Sequence, residues 1–280
     1  MKVGSYEVST VAAESFRLDG GAMFGVVPRP LWERTNPPDD RNRILLVARV
    51  LVLRGEGRLA IVDAAVGDKE GAKFRDIYAV SRSPGLPETL AAAGIAREDV
   101  TDVILTHLHF DHAGGSTRRD GERIVPAFPR ATYHVQRRNL EQARRPNERD
   151  RASYLAENFE PLEEAGVLRA REPDEEILPG VFARVVEGHT PGQQMIAVGD
   201  GAGEVVFAGD LVPTSAHLPV PYVMGYDLDP VRSMEEKKRW LPAWAERGTL
   251  VVFDHDPEVA AARIEMGPRR SYRVAERVSL

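Results

Sequence analysis

The sequence predicts an α/β layered sandwich with sheets inside and helices added in both halves. Three observations predict it. Apolar runs of strand length recur along the chain, separated by Gly- and Pro-containing turns. Helical stretches interrupt them in each half, which calls for helices covering the sheets. Ligand-type polar side chains stand directly after several of the apolar runs, at the strand ends where sheet folds gather a site.

Taken in order, "GSYEVSTVAAESFRL" has the alternation of strands. "RILLVARVLVLRG" and "GRLAIVDAAVG" are apolar runs separated by "GEG", a hairpin signal. Residues 19–40, "DGGAMFGVVPRPLWERTNPPDD", are expected to be a long loop or flap that exposes Met23, Phe24, Leu31 and Trp32. From Asp68 onward "GDKEGAKFRDIYAV" and "LPETLAAAGI" read as helical, and "TDVILT" as a short buried strand. "RATYHV" is a strand, followed by helical "QRRNLEQARR" and "SYLAENFEPLEEAGV". Three strands follow in "LPGVFARVVEG", "QQMIAVGD" and "GEVVFAGD". Asp229-Pro230 opens a helix, since Asp caps and Pro suits the first turn, and "TLVVFDHD" closes with a strand. The stretch "RRNLEQARRPNERDR" carries six arginines against three acids and reads as a solvated helix and loop. The alternative for it is a cap over a site.

The chain has 280 residues and 42% hydrophobic content. That is enough for one large domain, or at most two small ones, and the expectation is a single domain over 1–280 with a flap near its start. Cysteine is absent, which excludes disulfides, thiolate metal ligands and cysteine nucleophiles. A net charge of −6 argues against a nucleic-acid partner, because phosphates call for a basic footprint. "MKVGSYEVSTV" lacks the apolar core of an export signal, and no run is long enough to span a bilayer. The expected compartment is therefore the cytoplasm, without membrane contact.

The most informative stretch is "THLHFDHAGG", which places three of the seven histidines within six positions. Residues two apart on an extended chain point the same way, so His107 and His109 can converge on one metal ion. Asp111 and His112 diverge from that pair as the chain turns, and can serve a second ion. Imidazole and carboxylate together suit zinc. Further ligand types follow at other strand ends: His189 in "VEGHTPGQ", Asp210 in "VVFAGD" and His255 in "LVVFDHD".

With "VDAAVG", "THLHFDHAGG", "GHTPGQ", "AGD" and "DHD", nearly the whole chain resembles the metallo-β-lactamase superfamily. The resemblance implies an αββα four-layer sandwich of two mixed β-sheets with helices on the outer faces. It implies two divalent metal ions, with Zn first and Mn, Fe or Co as alternatives. One ion would take His107, His109 and His189, the other Asp111, His112 and His255, with Asp210 bridging. Asp63 would support the ligands from behind. Within the superfamily, the flap and "GDLVPTSAHLP" look like the quorum-quenching lactonase branch and its methyl-parathion-hydrolase-like relatives. Partners would then be a small ester or lactone and, by resemblance, a second copy in a homodimer.

The implied chemistry is attack by a metal-activated water on a lactone carbonyl, with Asp111 relaying a proton to the leaving alkoxide. The alternative on the same site is phosphotriester or aryl-ester hydrolysis. From a different class, an inactive ligand-binding scaffold is disfavoured because all seven ligands are present. In the lactonases a tyrosine three residues past the bridging aspartate polarises the carbonyl; here that position is Pro213. His217 is expected to replace it first, Tyr222 second and Tyr226 third. Met23, Phe24 and Trp32 are candidates to line an acyl or aryl pocket.

Overall fold

The apolar runs assemble into two seven-stranded sheets in the computed structural model, which describes residues 1–81, 84–199, 201 and 203–280. The first sheet holds Lys2–Val3, Tyr6–Asp19, Arg43–Gly55, Arg58–Val62, Asp102–Ile104, Thr132–Gln136 and Leu168–Arg171, side by side in that order. Its first four strands pair antiparallel. From Arg58–Val62 onward the pairing is parallel. The second sheet holds Glu176–Leu178, Val181–Val185, Gln194–Val198, Val205–Phe207, Leu250–Val252, Ala261–Met266 and Tyr272–Val278. Here only Val205–Phe207 and Leu250–Val252 run parallel, with the helix Pro230–Arg247 crossing between them. Asp229 caps that helix by accepting from the Arg232 amide, and Gly248 ends it in a left-handed conformation.

The run Val50–Leu53 shows why the strands are apolar on both sides. Val50 and Val52 pack under the helices of the first sheet. Leu51 and Leu53 face the other way, against Val198, Val205, Phe207 and Val252 of the second sheet. The second sheet's outer face, with Val206, Val251 and Ala262, is covered by Leu241 and Trp244 of the long helix. A sheet buried on both faces requires near-continuous apolar strands rather than alternation. The result is the four-layer αββα sandwich.

Several expectations change. Within residues 19–40 the short helices Gly20–Phe24 and Arg29–Trp32 turn Met23, Phe24 and Trp32 inward, where they are buried, while Val26 stays exposed. Of the four apolar residues expected outside, only Leu31 is exposed. The physical reason is mutual stacking: Phe24 lies flat on Trp32, with ring centroids 5.5 Å apart, and on His217 at 4.5 Å. "SYLAENFEPLEEAGV" yields only a 3-10 turn at Ala156–Asn158 and a helical turn at Glu160–Glu164. The strand in "QQMIAVGD" is Gln194–Val198, and Asp200 lies outside the described residues. The last two strands had no expectation attached. Among the described residues no helix is long and apolar enough to cross a membrane.

Candidate metal centre

The strand Asp102–Ile104 delivers "THLHFDH" to the edge of the sheet. Its ladder ends at Ile104, and the chain beyond is free to turn. His109 precedes the single helical turn Phe110–Ala113, which swings Asp111 and His112 away from the first two histidines. The glycines after it permit close backbone contact. A Cβ on Gly114 would sit 1.9 Å from the Val66 carbonyl oxygen, and one on Gly115 would sit 2.2 Å from that of Ala64. That contact holds the "HAGG" turn against the Asp63 loop.

Asp63 occupies a left-handed conformation, φ 62°, one residue past the strand Arg58–Val62. Its carboxylate accepts from the Thr106 amide at 2.7 Å and the Thr106 hydroxyl at 2.9 Å. It also accepts from His112 Nδ1 at 2.8 Å. Having donated to Asp63, the Thr106 Oγ1 accepts from His107 Nδ1 at 3.1 Å. One carboxylate therefore orients His112 directly and His107 through Thr106.

Two other rings are fixed in the same way. His189 Nδ1 donates to Asp227 at 3.0 Å, and His255 Nδ1 to the Val47 carbonyl at 3.0 Å. With Nδ1 as the protonated nitrogen, Nε2 of His107, His112, His189 and His255 carries a free lone pair. His109 is the exception, presenting Nδ1 at 3.0 Å from His189 Nε2.

These lone pairs converge in two groups. His107, His109, His189 and Asp210 form one; His112, Asp210, Asp254 and His255 form the other. Asp210 belongs to both. Its Oδ2 lies 3.1 Å from His189 Nε2 and 3.8 Å from His107 Nε2. Its Oδ1 lies 3.4 Å from His255 Nε2 and 3.6 Å from His112 Nε2. Ligand atoms about 2.0–2.1 Å from a tetrahedral zinc are about 3.3 Å apart, so these spacings fit.

Unpartnered atoms make the same case. His107 Nε2, Asp210 Oδ1 and both Asp254 oxygens are buried without a hydrogen-bond partner among the described residues. Buried polar groups are rarely left so, and divalent cations would satisfy them. Burial, with help from Asp210, pushes the Asp254 carboxyl up to about 7 despite the opposing pull of His255. Burial and the neighbouring rings hold His107 and His109 well below the usual imidazole range, whereas nearby carboxylates outweigh burial and raise His112, His189 and His255.

The sequence predicts seven metal ligands, and six of those side chains fall in these two groups. Asp111 lies beside the second group, its Oδ2 3.5 Å from His255 Nε2 and its Oδ1 3.9 Å from His112 Nε2. Asp254, which joins that group, was missed although it stands next to His255 in "FDHD". Asp227 was missed too, because a carboxylate 38 residues from His189 leaves no local signal.

The expected oxyanion donors are rearranged. His217 is fully buried and both ring nitrogens are engaged: Nε2 donates to the Met23 carbonyl at 2.8 Å, and Nδ1 accepts from the Thr214 hydroxyl at 2.8 Å. Tyr222 packs edge-on against Phe24. Neither lines the cavity over the metal groups. That cavity, about 230 Å³, is walled by Leu18, Met23, Tyr78, Phe110, Met224 and Tyr226, with His109, Asp111, His189, Asp210 and His255 at its base. Tyr226 is the third of the donors expected from the sequence, and Tyr78 falls in a stretch expected to be helical. Phe24 and Trp32 do not line the cavity, although both share a buried core with Met23. The arginine-rich stretch contributes Arg149 to the cavity wall, where it donates to the carbonyls of Gly225 and Asp227.

The chain is thus a four-layer α/β sandwich with two buried imidazole–carboxylate groups that share one aspartate and could hold a pair of divalent ions. The family model of the metallo-beta-lactamase superfamily matches residues 44–255, and the chain belongs to that superfamily. It is 31% identical over 172 residues to an N-acyl homoserine lactonase from a Bacillus species, covering 60% of this chain and 61% of that protein. It thus spans about three fifths of the length of such curated relatives. A crystal structure of a probable metal-dependent hydrolase from Staphylococcus aureus superposes with a TM-score of 0.88 at 28% identity. That match covers 99% of this chain and 100% of the other. AidC, a dizinc quorum-quenching lactonase solved with the product N-hexanoyl-L-homoserine, shares the fold. Its TM-score is 0.80 at 17% identity, covering 100% of this chain and 97% of that one.

Proposed function

We propose that the protein hydrolyses lactones, with N-acyl-homoserine lactones as the leading substrate class. The observation that carries this reading is the cavity above the metal groups. It is small, apolar on Leu18, Met23, Phe110 and Met224, and open directly onto Asp111 and Asp210. Its volume suits a ring ester with a short acyl chain rather than a drug-sized ligand. The relatives named N-acyl homoserine lactonases support the same substrate class. Two divalent ions, zinc first, would supply Lewis acidity and acidify a water.

The chain's own residues do the rest. Leu18, Met23 and Met224 hold the acyl chain and exclude water. The Tyr226 phenol donates to the carbonyl oxygen as charge develops there, the role that Pro213 cannot fill. Burial, reinforced by Asp19, Tyr78 and Asp111, raises the Tyr226 pKa and keeps the donor protonated at neutral pH. Tyr226 has no hydrogen-bond partner among the described residues, so its proton is free for substrate. Asp111, at the base of the cavity, takes up the proton released by the attacking water and passes it to the leaving alkoxide.

The test is a set of parallel rates for an N-acyl-homoserine lactone series, a simple aliphatic lactone and an aryl phosphotriester, with metal-quantified protein. The expected order places the acyl-homoserine lactones first in kcat/KM. A phosphotriester turned over faster than every lactone overturns the reading. Tyr226→Phe, at unchanged metal content, is expected to lower kcat by at least about tenfold.

A further inference from the structure

A second cavity of about 670 Å³ lies apart from the metal centre and shares no lining residue with the first. Its walls come from the strand Tyr6–Asp19, the helices Ala72–Tyr78 and Leu86–Ala92, and the hairpin strand Thr117–Asp120. Nothing in the hydrolytic chemistry uses it.

Some polar groups on its wall are already paired. Glu88 accepts from the Gly85 amide at 3.0 Å, and Arg119 reaches Glu157 at 3.8 Å. Three are not. Glu14 is 3% exposed; its Oε1 accepts from the Leu86 amide at 3.2 Å, while its Oε2 is buried with no partner. Arg75 Nε is buried without a partner, and its guanidinium makes no ion pair among the described residues. Arg118 Nε is likewise unpartnered, although its Nη1 lies 3.5 Å from Asp120 and donates to the Arg119 carbonyl at 3.3 Å. Between these groups the wall is apolar, on Leu86, Ile95 and Phe128.

A buried carboxyl oxygen and two guanidinium N–H groups left unpaired beside one cavity are groups that a ligand would satisfy. The guanidinium geometry matches a carboxylate, and the Glu14 oxygen matches a hydrogen-bond donor. We propose that this cavity is a second ligand site, for a small organic carboxylate with an apolar chain and a hydroxyl or ammonium group at its other end. Arg75 and Arg118 hold the carboxylate, Leu86, Ile95 and Phe128 the chain, and Glu14 the donor. Burial pushes the Glu14 carboxyl up to about 7, the position expected of an acid left without a counter-charge. The site does not depend on which ester the metal centre hydrolyses.

The test is calorimetric binding to the metal-loaded full chain, using terminal-amino hexanoate, terminal-hydroxy hexanoate and plain hexanoate. Ligands of this size are expected to bind with a Kd of about 1 mM or tighter, the donor-bearing pair ahead of hexanoate. Arg75→Met is expected to weaken all three by about tenfold, the scale of one charge-assisted contact. Glu14→Leu is expected to abolish the preference for a donor while hexanoate binds as before. Should that variant not fold, Glu14→Gln keeps the shape and removes the charge, and the amino probe is expected to lose its advantage over the hydroxy probe. Three results each overturn the site: no saturable binding, binding that Arg75→Met leaves unchanged, or a donor preference that survives the folded Glu14 variant.

Discussion

Asp63→Asn tests whether one carboxylate sets the tautomers of both metal groups. The wild-type Oδ2 accepts from both the Thr106 hydroxyl and His112 Nδ1, at 2.9 and 2.8 Å. Asparagine fills the same space and tolerates the left-handed φ of 62° at this position. It can keep the Thr106 amide bond through its oxygen. Its nitrogen, however, meets His112 Nδ1–H as donor against donor. The ring escapes by moving its proton to Nε2, which removes the lone pair that faces Asp210 and His255. The Thr106 hydroxyl loses its acceptor as well, which loosens His107. Losing one such outer contact costs metal affinity about 10- to 100-fold, or about 1.4–2.7 kcal/mol per ion. Competition against a chromophoric chelator is expected to show one ion weakened in that range, the other less so, with turnover falling in parallel. Two ions held at wild-type affinity in a folded Asp63→Asn protein would refute the reasoning.

Four further outcomes are expected. Elemental analysis of protein purified without chelator should approach two divalent ions per chain; full activity at a firm value of one would contradict the shared site. Asp210→Ala removes the carboxylate common to both groups, so at least one ion and about 10²-fold or more in rate should be lost, measured together by metal content and kcat. His217 is buried and neutral, and burial holds its pKa down to about 4 against an unfolded value near 6.5. The unfolded chain therefore binds its proton first as pH falls; the ring's contribution is complete above about pH 6.5 and is lost down to about pH 4, up to about 3 kcal/mol. Urea midpoints across that window should fall less steeply in His217→Phe than in the parent, and parallel slopes would show that another group carries the acid sensitivity. Gly114→Ala places a methyl 1.9 Å from the Val66 oxygen, so it should cost about 1–3 kcal/mol in unfolding experiments and weaken the metal groups with it.

Much of the site was legible in the sequence because its ligands are tied to local periodicity. His107 and His109 stand two apart just past the strand Asp102–Ile104, and Asp111 and His112 follow on a single helical turn. Asp210 and His255 each stand a few residues past a short buried strand. Strand period, turn residues and side-chain chemistry are enough to mark such positions, and the uniformly apolar run Val50–Leu53 announces a sheet covered on both faces. What the sequence left open is everything that depends on closure between distant segments. His189 meets His109 across 80 residues, and His255 donates to Val47 across 208. The partners Asp227 and Asp254, the inward packing of Met23, Phe24 and Trp32, and the choice of Tyr78 and Tyr226 over His217 and Tyr222 for the cavity wall all follow from such closures. A side chain's type and spacing fix what it can bind. Whether it faces a metal, a neighbouring carbonyl or the core is decided only when the two sheets pack and each buried polar group finds its partner.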